Sequence, residues 1–360
     1  MRCLGWLLLM LWVVGAEEIP FRPNFWGWRE RQGRATMAPG VHLQGQLQVD
    51  GAGGSRGSGN RESSVPARSG LAPHAADDSV YLRRGRLLGT WQIDEDTRVF
   101  TQFQYDSVSD QVRLFDLFLE SRLSPELTFS VGYLKPRFGW EALRSQANLN
   151  TVERSDVSEA LRPIRDLGAN LGFRNDWLQA DLGLFSGQQG ELGERNSTRD
   201  LVGRVAILPD EHWAFGTSWQ LGSFTPASGG EIPLSRLGLE LRSYWRPFAL
   251  EAEYFWSTGY NQASKADTRA QGFTVTGLWE LNDELDLVLS HDRFDPDLER
   301  FSASRLNNAS NARSRTVAGV NVYLDRAEYH RVMVNYEWHS ALEGPSGQRG
   351  NWRVRYQVRF

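Results

Sequence analysis

The last nine residues, Trp352 to Phe360, read WRVRYQVRF. Trp352, Val354, Tyr356, Val358 and Phe360 take every second place, and Arg353, Arg355, Gln357 and Arg359 fill the places between. Successive side chains of a strand point to opposite faces, so this stretch specifies a strand that is apolar on one side and cationic on the other. The same two-sidedness recurs from residue 41 onward. Val41, Leu43, Leu47 and Val49 alternate with His42, Gln44, Gln46 and Gln48, and Leu127, Phe129, Val131 and Tyr133 alternate with Thr128, Ser130 and Gly132. Near the end, Val332, Val334, Tyr336 and Trp338 oppose Arg331, Met333, Asn335, Glu337 and His339.

Sixteen such segments are predicted. The first eight lie near 41–49, 80–91, 97–105, 112–122, 127–136, 166–174, 177–186 and 199–208. The second eight lie near 212–221, 235–245, 248–257, 271–281, 284–293, 314–324, 328–339 and 350–360. Seven connections are tight and rich in turn formers: IDEDT, LSPE, RND, LPDE, WRPF, LNDE and LDRAE. The other eight are mostly longer and alternate with the short ones; they include 50–79, 137–165 and 294–313. Short turns at one end and long loops at the other are the habit of a membrane barrel. The expected fold is therefore all-β, a transmembrane antiparallel β-barrel of about sixteen strands with both chain ends on the periplasmic side.

Energetics sorts the faces. An arginine facing lipid at mid-membrane costs about 2–4 kcal/mol, and an unpaired charge in a dry interior is also expensive. Arg353, Arg355 and Arg359 are thus expected to face a wet lumen, which sixteen strands are enough to enclose. Tryptophans such as Trp91, Trp213, Trp245, Trp279, Trp338 and Trp352 fall mostly near strand ends, where interfacial girdles form.

The two chain ends divide the sequence further. Arg2, the apolar run Leu4 to Val14 and the small residues Gly15 and Ala16 read as a signal peptide over 1–16. A segment over 17–39 would follow as a periplasmic tail or plug, and 40–360 would form the barrel. Removal of the signal takes Arg2 with it, changing the net charge from −4 to −5. It also takes Cys3, the chain's one cysteine, which leaves no disulfide and no thiolate metal site. No later run approaches the 18 or more apolar residues of a membrane helix. Asp292, Asp295, Asp297 and Glu299 cluster in HDRFDPDLE without the spacing of a calcium loop, and the histidines show no metal spacing. Neither metal nor cofactor is expected.

Several stretches, taken together over most of 40–360, resemble the phosphate-selective porin O/P family of outer-membrane channels. RRGRLLG (83–89) resembles its Arg-rich second strand, and LTFSVGYLKPRFGWE (127–141) the strand that ends in a Gly-x-x-Lys-Pro-x-Phe-Gly turn. RPIRDLGANL (162–171) resembles the return from its inward-folded third loop, and Val320 to Trp338 its penultimate hairpin. The resemblance implies a barrel of sixteen strands, a homotrimer, that passes small anions. Phe360 matches the terminal aromatic by which outer-membrane barrels engage their assembly machinery. The chain departs from the family in having only Lys135 and Lys265 as lysines among 40 basic residues, so phosphate itself does not follow from the family name.

Parity puts Arg204, Arg236, Arg242, Arg315, Arg331, Arg353, Arg355 and Arg359 on the lumen face, with Arg84 and Arg86 together on one face of the second strand. Guanidinium groups in a narrow pore attract anions and repel cations. Asp116, Glu120, Asp181, Glu240, Glu251, Glu253 and Glu337 share that face, so cross-strand pairing that merely stiffens the wall stays open, Arg242 with Glu251 or Glu253 being one instance. The segment 137–165 is the constriction candidate, through Arg144, Glu153, Arg154, Arg162 and Arg165; a surface loop packing the trimer is the alternative. Lipid, small anionic solutes and copies of the chain are the expected partners, and nucleic acid is not. A passive channel is favoured over an outer-membrane barrel enzyme of protease or phospholipase type and over a non-conducting structural barrel.

Overall fold

The computed structural model describes residues 40–54, 79–107, 110–187, 198–225, 230–261, 266–299, 311–325, 330–343 and 348–360. The signal and the 17–39 segment lie outside the described residues. The first eight strands are β1 Gly40–Gly54, β2 Ser79–Gln92, β3 Thr97–Asp106, β4 Gln111–Arg122, β5 Leu127–Leu134, β6 Asp166–Arg174, β7 Leu178–Phe185 and β8 Asp200–Ile207. The second eight are β9 Trp213–Phe224, β10 Ile232–Trp245, β11 Phe248–Asn261, β12 Ala266–Asn282, β13 Leu285–Asp295, β14 Arg313–Tyr323, β15 His330–Ala341 and β16 Gln348–Arg359. Each pairs antiparallel with its sequence neighbours, and β1 pairs with β16 to close the barrel. The strands sit where the alternation predicts them. The difference lies at the ends facing the long connections, where β1, β10, β11 and β12 run several residues further than the alternating pattern, because ladder hydrogen bonds are made by the backbone and need no alternation of side chains.

The last residue extends the closing ladder between β1 and β16. Gly45 N–H donates to the Phe360 carbonyl at 2.6 Å, and Phe360 N–H donates to the Gly45 carbonyl at 3.0 Å. The Phe360 ring lies over Gly45, 2.3 Å from where a Cβ would stand, so any larger residue there would push the ring aside.

The two faces are opposite to those of a water-soluble sheet protein. On β16, Trp352, Val354 and Tyr356 are exposed outward, whereas Arg353, Arg355 and Gln357 are no more than 2 % exposed. Leu43, Leu87, Leu182, Leu239 and Leu289 continue the outer apolar surface around the ring. Gln48, Asp50, Arg84, Asp181, Arg204, Glu240, Asp292, Arg315 and Glu337 are buried on the inner side. Only an apolar solvent outside makes that distribution favourable, which is the condition of a bilayer.

Two register shifts alter the inner face. The β1–β2 ladder passes from Gln48↔Arg84 to Val49↔Leu82, which leaves Arg83 as an extra, bulged residue. The β3–β4 ladder passes from Gln102↔Asp116 to Phe103↔Leu114, which does the same for Phe115. A bulge re-aims a side chain. Arg83 is accordingly buried with Arg84, where strict alternation would place it in lipid.

The connection between β5 and β6 has structure of its own. It carries α1 (Trp140–Leu143), a 3₁₀ turn (Gln146–Asn148) and α2 (Asp156–Leu161). Ser145 caps the 3₁₀ turn by accepting from Ala147 N–H, and Ser155 caps α2 by accepting from Ser158 N–H at 3.3 Å. Val157 and Leu161 pack with Leu134 and Phe138 against Phe185, Val202, Phe255, Ala270 and Phe294 of the strands.

Candidate functional site

The inner-face side chains and the β5–β6 connection form one polar network. At its start, Gly139 adopts a φ of 67°, and a Cβ there would meet the Phe255 ring at 3.1 Å, so glycine alone fits the turn. Trp140 and Glu141 then donate their backbone N–H groups to the Glu253 carboxylate at 2.6 and 2.9 Å. Glu251 accepts two bonds from Arg144, at 2.8 and 2.6 Å, and others from Trp140 Nε1 and Asn150. Arg242, directly opposite Glu251 in the ladder, has its guanidinium over the Trp140 ring at 3.7 Å. Both carboxylates named for Arg242 by its position in the ladder, Glu251 and Glu253, also bond to the connection.

Further along, the connection meets β14, β15, β16 and β2. Arg331 and Gln357 donate to the Ala147 carbonyl at 2.9 and 3.0 Å, Arg359 donates to Asn148 Oδ1 at 3.0 Å, and Asn321 donates to the Asn150 carbonyl. Val152 N–H donates to Asn335, and its carbonyl accepts from Arg355. Glu153 receives Arg83 at 3.2 Å, Arg84 at 3.0 Å and Arg355 at 2.7 Å. Burial alone would raise the Glu153 carboxyl; the Arg84, Arg83 and Arg355 guanidiniums together outweigh it and hold it well below the usual carboxylate range. Arg315 donates to the Arg154 carbonyl at 2.6 Å, and Asp156 pairs with Arg313 at 2.9 Å.

Most of the arginines expected on the inner face are there, but they are paired. Arg84 meets Asp106, Arg204 meets Glu240, Arg315 meets Asp292, Arg353 meets Glu337 and Arg355 meets Asp50, all within 3.1 Å. The pairing that the sequence leaves open is thus present at these positions: the carboxylates stand on the neighbouring strand or, for Arg204 and Glu240, one strand further along. Arg86, Arg236 and Arg331 differ. Among the described residues no carboxylate lies within 4 Å of them, and they bond instead to Gln104 and Gln146, to Gln220, and to the Ala147 carbonyl.

Arg86 belongs to a cationic group. Arg165 lies over the Phe115 ring at 4.0 Å and Arg86 over the same ring at 5.7 Å, while Arg165 also forms a two-pronged pair with Asp116 at 2.9 and 3.0 Å. Lys135, just beyond β5, donates to the Ala142 carbonyl. Its ammonium is pushed well below the ordinary lysine range, by burial first and then by Arg154, Arg165 and Arg162. Arg162 pairs with Glu159 at 2.5 Å, and Arg154 reaches the same carboxylate at 3.6 Å. Parity missed Arg83 and Phe115, which the bulges turn inward, and also passed over Asp50, Asp106 and Asp292. Asp292 belongs to the inner network through Arg315, and no cluster of metal-ligating side chains occurs among the described residues.

Comparison with known proteins agrees with this architecture. A family model described as phosphate-selective porin O and P matches residues 75–225. The outer membrane channel DcaP of Acinetobacter baumannii superposes with a TM-score of 0.62 at 11 % identity, over 89 % of this chain and 97 % of that one. An anion-selective porin from Comamonas acidovorans gives 0.60 at 10 % identity, over 89 % and 99 %. OmpT of Vibrio cholerae, described as outer-membrane expressed, gives 0.58 at 9 % identity, over 89 % and 97 %. A search among curated proteins finds no match. The chain is a sixteen-stranded outer-membrane β-barrel of the porin fold whose residues 75–225 match the phosphate-selective porin O and P family.

Proposed function

We propose that the barrel is a porin for passive diffusion of small anions, with the β5–β6 connection folded into the lumen as its constriction. The connection's hydrogen bonds to inner-face side chains of β2, β11, β14, β15 and β16 support the inward placement. The observation that carries anion selectivity is the group around Phe115. Arg86 and Lys135 have no carboxylate within 4 Å among the described residues, and the positive field of Arg154, Arg165 and Arg162 acts on Lys135. A local excess of fixed positive charge in a narrow pore concentrates anions and excludes cations. A guanidinium offers paired donors to phosphate-like oxyanions, while chloride needs the charge alone. The anion-selective description of the Comamonas acidovorans porin points the same way.

The reading includes a homotrimer in the outer membrane and recognition of Phe360 by the barrel-assembly machinery. Reversal potential across a planar bilayer in a KCl gradient tests selectivity, and the mass of the detergent-solubilised complex tests the trimer. A reversal potential on the cation side refutes the first, and a monomer mass refutes the second.

A further inference from the structure

We propose that Glu153 is a specificity-determining residue of this pore: it joins Arg83, Arg84 and Arg355 into a charge-balanced clamp on the β5–β6 connection and so withdraws those arginines from anion attraction. The inference deepens the anion-porin reading and rests on it. The clamp holds three guanidiniums and three carboxylates. Asp106 takes Arg83 at 2.8 Å and Arg84 at 3.1 Å, Asp50 takes Arg355 at 2.6 Å, and Glu153 is shared among all three arginines. Arg83 takes part only because the β1–β2 bulge turns it inward beside Arg84.

The Arg-rich second strand is therefore divided. Arg83 and Arg84 are spent on holding the connection to the wall, and Arg86 alone of that stretch keeps a guanidinium without a carboxylate within 4 Å among the described residues. The three carboxylates come from β1, the end of β3 and the connection. Glu153 is the clamp's one carboxylate on the connection, beside Val152, whose N–H and carbonyl are held by Asn335 and Arg355. Removing its charge thus does two separable things. It leaves one uncompensated positive charge on the wall, and it loosens the connection.

Planar-bilayer recording of the full barrel separates them. Glu153→Gln raises the anion-to-cation permeability ratio about two- to fivefold, the effect of one added unit charge acting across about one Debye length, ~10 Å at 0.1 M salt. It also raises open-channel current noise. Adding Arg84→Gln restores charge balance and returns the ratio to the wild-type value while the noise stays high; Glu153→Asp keeps the wild-type ratio. A ratio unchanged in Glu153→Gln, or one that the second substitution does not restore, overturns the clamp. Heat-modifiable migration on a gel reports folding. If Glu153→Gln does not fold, Asp106→Asn removes a clamp carboxylate without touching the connection and must raise the ratio; no rise overturns the proposal equally. A cation-preferring wild type refutes the anion-porin reading but leaves the direction of these shifts as the test of the clamp.

Discussion

Replacing Arg355 by methionine keeps most of the side-chain volume and deletes the guanidinium where β1, β16 and the β5–β6 connection meet. Arg355 is fully buried. It donates to both Asp50 oxygens at 2.6 and 2.7 Å, to Glu153 at 2.7 Å and to the Val152 carbonyl. The losses are unequal. Glu153 keeps Arg83 and Arg84, but Asp50, only 2 % exposed, has no other cation within 4 Å among the described residues. Stranding one member of a buried pair costs about 3–5 kcal/mol, most of it the desolvated charge left behind. Arg355→Met is thus expected to lower unfolding stability by about that amount. Asp50→Asn in the same chain removes the stranded charge and regains about 1.5–3 kcal/mol as a coupling between contacting residues. Equilibrium urea unfolding in detergent micelles, followed by tryptophan fluorescence, gives both numbers. A loss below about 1 kcal/mol, or a double variant no more stable than Arg355→Met, refutes the reasoning, because it would mean water reaches Asp50 well enough to solvate it alone.

The neighbouring residue tests the other face. Val354→Arg puts a guanidinium into lipid near the middle of β16 and is expected to cost about 2–4 kcal/mol in the same unfolding assay in lipid vesicles; a neutral effect contradicts the outward assignment of Val354. Lys135 supplies a pH test. Burial, and after it Arg154, Arg165 and Arg162, hold its pKa well below the ordinary lysine value, so its charge is lost on raising pH earlier than the ~10.4 of a free lysine. The anion-to-cation permeability ratio should fall as pH rises toward that value and the fall should vanish in Lys135→Met; an identical pH profile in the variant removes Lys135 from the selective group. Phe360→Ala should slow accumulation of folded barrel in cells while leaving in-vitro unfolding stability within about 1 kcal/mol, since only the exposed ring against Gly45 is lost. Wild-type accumulation kinetics would count against the assembly signal.

The barrel was legible because its rule is local. Alternation within β16 or β15 fixes which side chains share a face, and the order of short and long connections fixes how strands pair, without knowledge of any partner. The clamp was not legible, for two physical reasons. Alternation assumes an unbroken pleat, and the extra residues at Arg83 and Phe115 break it; strict parity would send Arg83 to lipid, where its cost is prohibitive. The second reason is that parity names a face and says nothing of what stands opposite across the lumen. Glu153 lies 70 residues from Arg83 and 202 from Arg355, so no spacing pattern announces that it binds both.

That distinction governs how an arginine-rich lumen is to be read. The pull of a pore on anions depends on charge left over after pairing, and pairing is a property of the folded ring. Arg355 and Arg86 look alike in sequence, each one of a run of inward guanidiniums. In the barrel, Arg355 is held between two carboxylates, while Arg86 rests on glutamine and serine oxygens and an aromatic ring. A count of inward arginines therefore overstates the field that an ion meets, and the residues that set selectivity are those the network leaves without a counter-charge.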